Sequence, residues 1–277
     1  MKNISVLISV YEKENPDFFD AALYSIYTQS LKPDEVVICV DGPIGQELTD
    51  ILEKYDKKYP KQTRILCFEK NRGLGETLAD GVNACSNEIV FRMDSDDIST
   101  KDRFKKQYEI ISTGKYDVVG SNIAEYDEKM ENYIGDRVVP EKNESIKKYL
   151  KKRNPMNHQT VCFLRSKVLS AGNYKKMKGF EDYYLWARML MNGCLFYNIQ
   201  ENLVNVRSGY SLIMRRGEKE YLKCIVSFEK EILKIGLITK TEYLRNITSR
   251  IAVSSAPVGV RKKVYSKILR KAKKEIA

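Results

Sequence analysis

The chain has 277 residues, 43% of them hydrophobic, and a net charge of +11. That is enough for one large domain with an appendage or for two small domains, and no run of eighteen apolar residues exists to cross a membrane as a helix. The charge is uneven: residues 205–277 carry 18 Lys+Arg against 6 Asp+Glu and residues 1–204 carry 30 against 31, so a near-neutral body bears a basic tail suited to membrane lipid, phosphate or nucleic acid.

In chain order, Ile4–Val10 reads as a strand, 16–29 as a helix with Pro16 and Asp17 in its first turn, and 36–40 as a strand. Helices follow at 45–59 and Leu74–Ala84, with strands at 63–68 and Ile89–Met93 between and after them. Such alternation implies βαβ units and a mainly parallel sheet covered on both faces. Ligands of these sheets bind beyond the carboxyl ends of the strands, and each strand here ends in a polar loop. Further on, 102–112 reads as a helix, 117–123 as a strand, 126–145 as a polar loop or flap, 145–152 as a short basic helix, 160–164 as a strand and 180–191 as a helix. The tail has helical spacing over 218–235, 240–253 and 261–274. The N-terminal run lacks a signal peptide's long apolar segment and cleavage site. The six cysteines form no Cys-x-x-Cys pair; they read as reduced core residues of a cytosolic protein rather than a disulfide framework or zinc site.

Strand Ile89–Met93 runs into Asp94-Ser95-Asp96-Asp97. In extended backbone Asp94 and Asp96 share a face, and clustered carboxylates repel unless a cation sits between them. Mg²⁺ takes one or two carboxylates together with substrate phosphates. The bland alternative is a solvated acidic turn capping the next helix.

Six pieces in order resemble family 2 inverting glycosyltransferases with a GT-A fold, over roughly residues 3–210. They are Ser5–Tyr11, Val36–Pro43, Asn71-Arg72-Gly73-Leu74-Gly75, Arg92–Ile98, Asn157-His158-Gln159-Thr160 and Gly179–Trp186. The nearest branch builds bacterial capsule, exopolysaccharide and O-antigen units, including amylovoran-type transferases. The resemblance implies a GT-A catalytic domain over 1–210; charge and helical spacing point to a basic α-helical region over 211–277 that packs on it and faces the membrane.

It also implies roles. Val10 and Tyr11 line a nucleobase pocket, and Asp41 accepts a hydrogen bond from the base. Asn71 and Arg72 hold the nucleotide, Asp94 the ribose, and Asp96 an Mn²⁺ or Mg²⁺ ion that bridges the diphosphate; Asp97 orients Asp96 or Arg103. Asp182 is the base that deprotonates the acceptor hydroxyl, with Glu181 and Trp186 near the acceptor and His158 near the acceptor or the diphosphate. His158 is the only histidine, and Gln159 stands where relatives carry proline. Arg215 and Arg216 meet the diphosphate, as a planar guanidinium suits. The expected donor is a UDP-sugar, and the acceptor a lipid-linked sugar or an oligosaccharide. The protein is expected in the cytoplasm, peripherally on the inner face of the membrane, with its basic tail on anionic lipid. Two rivals remain at this level. A nucleotidyltransferase would carry a glycine-rich loop after the first strand, where Tyr11–Pro16 has no glycine. A nucleic-acid-binding tail would leave the carboxylate-ended strands unexplained, and no nucleic acid is expected as a partner.

Overall fold

Three adjacent parallel strands form where the apolar runs fall: β1 (Ile4–Val10), β2 (Glu35–Val40) and β4 (Ile89–Met93), with β3 (Thr63–Cys67) beyond β2. The computed structural model describes residues 3–208, 219–256 and 259. Between the strands lie α1 (Pro16–Tyr27), α2 (Gln46–Lys58) and α3 (Leu74–Ala84). Asn15 starts α1 by accepting from the amides of Asp17 (2.9 Å) and Phe18 (3.2 Å), with Pro16 in the first turn. Helices cover both faces of the sheet. Ile4, Val6, Ile8 and Val10 share one core with Phe19, Leu23 and Phe104, while Leu7 shares the other with Leu78 and Val82. The alternation along β1 thus sorts side chains to opposite faces, both dry.

The sheet order is β3-β2-β1-β4-β8-β6-β9-β5, with β7 on β6. The chain therefore reverses its direction of growth between β1 and β4, the topological switch point where open α/β sheets bind ligands. Past β4 the pairing is mixed: β8 (Cys162–Leu164) is antiparallel to β4 and β6, and β6 (Val118–Tyr126) is parallel to β9 (Phe196–Arg207). A mainly parallel curled sheet with helices is the arrangement that the resemblance to a GT-A fold implies.

Several elements differ from expectation. Residues 126–145 are not one loop: β6 runs on to Tyr126 and pairs with β7 (Tyr133–Arg137), and α5 (Asn143–Leu150) follows. The expected strand at 160–164 begins as a 3-10 turn, His158–Thr160, before β8. Neither α6 (Arg165–Ser170), β5 (Ile98–Ser99) nor β9 was expected. β9 carries Asn198, Gln200, Glu201 and Asn202 in its middle and pairs irregularly at Ser121–Ile123, so its pattern is neither apolar nor alternating. The helices α4 (Arg103–Ile111) and α7 (Glu181–Met191) lie within a residue of expectation.

In the tail, α8 (Lys219–Lys234) and α9 (Lys240–Ser255) form; the expected helix at 261–274 lies outside the described residues. Ile225, Phe228 and Ile232 of α8 belong to the same core as Trp186 and Phe196. Phe228 packs on Phe180 (ring centroids 4.7 Å) and Tyr183 (4.4 Å) at the start of α7.

Candidate active site

The loops after β1, β2, β3 and β4 meet along one edge of the sheet. Val10 is buried, whereas Tyr11 is 42% exposed. The carbonyl of Val10 accepts from the amide of Asp41 (2.8 Å), which locks the ends of β1 and β2 together. Asp41 is 5% exposed. Its Oδ1 accepts from the amide of Arg72 (2.8 Å) and its Oδ2 from that of Gly73 (3.0 Å), while Asn71 Nδ2 donates to its carbonyl (3.1 Å). Asp41 therefore shapes the loop after β3. Gly42 is needed for this closeness: its φ is +90°, and a Cβ there would lie 2.6 Å from the amide nitrogen of Asn71. Arg72 stacks on Phe68 (3.8 Å) and pairs with Asp80 (2.7 Å), so its charge is engaged on α3.

At the end of β4, Asp94, Asp96 and Asp97 bring ligand atoms within 4.8 Å of one another. The expected reason was extended backbone, but residues 95 and 96 form a turn; the turn gathers the acids. Arg92 is 1% exposed and forms an ion pair with Asp94. Its Nε and Nη1 are buried with no hydrogen-bond partner among the described residues. Burial opposes its charge, but Asp94 prevails and raises its pKa. Arg103, also fully buried, donates to the carbonyl of Arg92 (2.7 Å) and to Ser99 Oγ (3.1 Å), which fixes the strand end. Asp97 does not act on Arg103 by a hydrogen bond; it accepts from the amide of Arg207 (3.1 Å), whose guanidinium bonds the carbonyl of Asp96 and stacks on Phe18 (4.0 Å). Burial, then the charges of Asp94 and Glu14, push Asp96 up to about 7, and burial raises Asp97 well above the carboxylate range. A set of carboxylate oxygens strained by mutual repulsion suits a hard divalent cation.

A second group of acids stands at the start of α7. Asp182 lies in its first turn, and its Oδ2 accepts from Asn154 Nδ2 (2.5 Å). Burial raises the Asp182 pKa, against which the Asn154 bond and the charge of Arg92 work. Glu181 is raised too, chiefly by burial. His158 is half-buried, with Nε2 2.9 Å from the hydroxyl of Tyr174. Burial and then Arg92 hold its pKa well below the imidazole range, so the ring is neutral. Arg92 thus pairs with Asp94 and also feels the charge of Asp182 and the hydroxyl of Tyr174.

Trp186 is corrected as an acceptor contact. It is fully buried, one turn deeper than Asp182 on α7, edge-on to His158 (6.2 Å) and Phe196 (6.2 Å). It supports His158 from below. Arg215 and Arg216 lie outside the described residues. Sequence reasoning missed Arg92, Asn154, Tyr174 and Arg207. Arg92 alone left a local signal, a charge inside an apolar strand.

A family model described as Glycosyl transferase family 2 matches residues 5–172. A protein of Escherichia coli named UDP-Gal:alpha-D-GlcNAc-diphosphoundecaprenol beta-1,3-galactosyltransferase is 34% identical over 268 residues, 96% of each chain. Amylovoran biosynthesis glycosyltransferase AmsE of Erwinia amylovora is 33% identical over 95% of this chain and 98% of its own. Among solved structures, S. aureus TarS 1-349 in complex with UDP has a TM-score of 0.64 at 16% identity, covering 97% of this chain and 75% of that one. This chain spans 46% of a longer TarS chain. The mannosyltransferase PcManGT of Pyrobaculum calidifontis, in complex with GDP-Man and Mn²⁺, has a TM-score of 0.65 at 11% identity, covering 96% of this chain and 75% of that one. At these identities the structural likenesses carry the fold alone.

Proposed function

The chain belongs to glycosyl transferase family 2 and is a glycosyltransferase, and from that premise we propose that it moves a sugar from a UDP-linked donor, with inversion, to a hydroxyl of a lipid-diphosphate-linked sugar in bacterial surface-polysaccharide synthesis. The E. coli relative's name supports the donor and acceptor classes, and the UDP complex of a fold relative is consistent with the donor.

One observation carries the reading: the buried guanidinium of Arg92 pairs with Asp94 at the end of β4, and its charge also reaches Asp182 at the start of α7. Tyr11, Asp41 and Asn71 would receive the nucleotide, and Asp94 its ribose. Asp96, with a free oxygen of Asp94, would hold Mn²⁺ or Mg²⁺; when bound, the cation supplies a Lewis acid for the charge on the departing diphosphate. Asp182 takes the proton of the acceptor hydroxyl as that oxygen attacks the anomeric carbon. A carboxylate raised in pKa by burial is a stronger base once ionised, which suits this step. Glu181 and neutral His158 would border the acceptor.

The division at 210/211 and the membrane-facing role of the tail belong to the same proposal. No helix among the described residues is long and apolar enough to cross a membrane. Lys223 and Lys234 of α8 are 76% and 77% exposed, each beside an acid of the same helix, Glu220 at 2.9 Å and Glu231 at 4.0 Å; anionic lipid on the cytoplasmic face would compete with those pairs, each Lys or Arg near such a surface adding about 1 kcal/mol.

The test is calorimetric binding of UDP with and without Mn²⁺ to the wild type and to Asp96→Ala, with transfer assayed in Asp182→Asn. Metal-dependent UDP binding lost in Asp96→Ala, and transfer lost in Asp182→Asn with UDP still bound, are expected. The absence of any nucleotide binding by the wild type would overturn the reading.

A further inference from the structure

Asp182 is a short carboxylate on the first turn of α7, and a base must present one oxygen to the acceptor while the other is held. Asn154 Nδ2 is 2.5 Å from Asp182 Oδ2. The orientation of that amide is set from its other end, because Asn154 Oδ1 accepts from the backbone amide of Met156 (3.2 Å). Nδ2 is a donor only, so it bonds the ionised carboxylate and disfavours the protonated form at that oxygen.

The loop that carries Asn154 is itself anchored. Met156 and Asn157 are fully buried. Asn157 Nδ2 donates to the carbonyl of Ser121 on β6 (2.8 Å), and Asn198 Nδ2 of β9 to that of Pro155 (3.1 Å). From the other side, Tyr183, the residue after Asp182, donates its hydroxyl to the carbonyl of Leu150 at the end of α5 (2.5 Å). The loop before the 3-10 turn and the first turn of α7 are therefore clasped twice within a few residues.

We propose that Asn154 is the positioning residue of the base: it holds Asp182 Oδ2 and keeps the carboxylate ionised, which leaves Oδ1 to receive the acceptor's proton. This rests on the reading of Asp182 as base. In the step, the acceptor O–H bond breaks and its proton goes to Oδ1. The acceptor oxygen bonds the anomeric carbon, and the bond from that carbon to the diphosphate breaks with its electron pair. Asn154 touches none of the reacting atoms; it acts through Asp182.

The primary experiment is a carboxyl-carbon NMR titration of the full chain labelled at aspartate, with the Asp182 signal assigned from Asp182→Asn. Asn154→Ala should raise the Asp182 midpoint by about one pH unit, since it removes a hydrogen bond to the charged form. Asn154→Asp keeps the size and the bond from Met156, so it should fold, and its second carboxylate should move the midpoint further up. Unmoved midpoints in both variants overturn the proposal. Transfer from UDP-galactose to diphospholipid-linked GlcNAc is read in parallel. Asn154→Ala should lower kcat at least about tenfold, as loss of base positioning does, with the donor KM within about twofold and the acid limb of the pH profile displaced upward. If Asp182→Asn keeps transfer, the base reading fails. If that variant is inactive while Asn154→Ala titrates and turns over like the wild type, only the role of Asn154 fails.

Discussion

Arg92 and Asp94 form an ion pair whose two ends live in different media: the guanidinium side is 1% exposed and the carboxylate side 34%. Arg92 has no hydrogen-bond partner at Nε or Nη1 among the described residues, so Asp94 is its main compensation. Asp94→Asn should therefore cost about 3 kcal/mol, the low end for stranding a buried charge. Arg92→Met should cost less, because Asp94 can turn to water. Urea unfolding of the two variants checks this; equal or reversed losses would contradict it.

His158 is neutral because burial, then Arg92, depress its pKa. The unfolded chain binds a proton below about 6.5, where the folded chain does not. Stability from this residue is thus present above that pH and lost as pH falls, at up to about 1.4 kcal/mol per pH unit. The raised carboxylates Asp96, Asp97 and Asp182 act in the opposite sense, losing stability as pH rises. The comparison that isolates the imidazole is His158→Gln against wild type, by melting temperature at pH 5 and pH 7. The variant should lose less on acidification; a parallel loss would mean that His158 charges freely in the folded protein.

How much of this was legible follows from where the signals lie. β1, β2 and β4 are apolar runs that end at turn formers, and the acids after β4 are contiguous in sequence, so both were readable from local pattern. β7 and β9 were not, because their pairing with β6 is long-range and β9 is polar in its middle. Asn154 and Tyr174 come to Asp182 and His158 from separate loops, which no spacing announces. Trp186 misled for a helical reason. It is four residues from Asp182 and so on the same face of α7, but that face slopes from the cleft into the core.

Burial and the neighbouring acids Asp94 and Glu14 push Asp96 up to about 7, so binding a metal must displace its proton. Between pH 6 and pH 8 the ionised fraction of such a group rises from about 0.1 to about 0.9, and Mn²⁺ affinity should rise about tenfold with it. The stabilisation of the protein by a fixed Mn²⁺ concentration should grow accordingly over that interval. Melting curves with and without Mn²⁺ at the two pH values decide it, and Asp96→Ala should abolish the increment at both.

The tail reaches the base through an aromatic stack. Phe228 is fully buried on α8 and lies against Phe180 and Tyr183, the residues on either side of Glu181-Asp182. Glu229, also fully buried, pairs with Arg250 of α9 (2.8 Å), and Asn246 of α9 donates to the carbonyl of Lys151 beside α5 (2.7 Å). The helix pair is thus wedged between the two elements that carry Asp182 and Asn154. Phe228→Ala should cost about 3 kcal/mol from the cavity alone. Because the cavity opens under the first turn of α7, kcat should fall more than the donor KM rises, while UDP binding at the far loops is kept. Unfolding curves, UDP calorimetry and initial rates on one preparation separate these effects. A variant that melts early yet keeps its kcat at a temperature where it is folded would make the tail a cover for the core, with no part in holding the base.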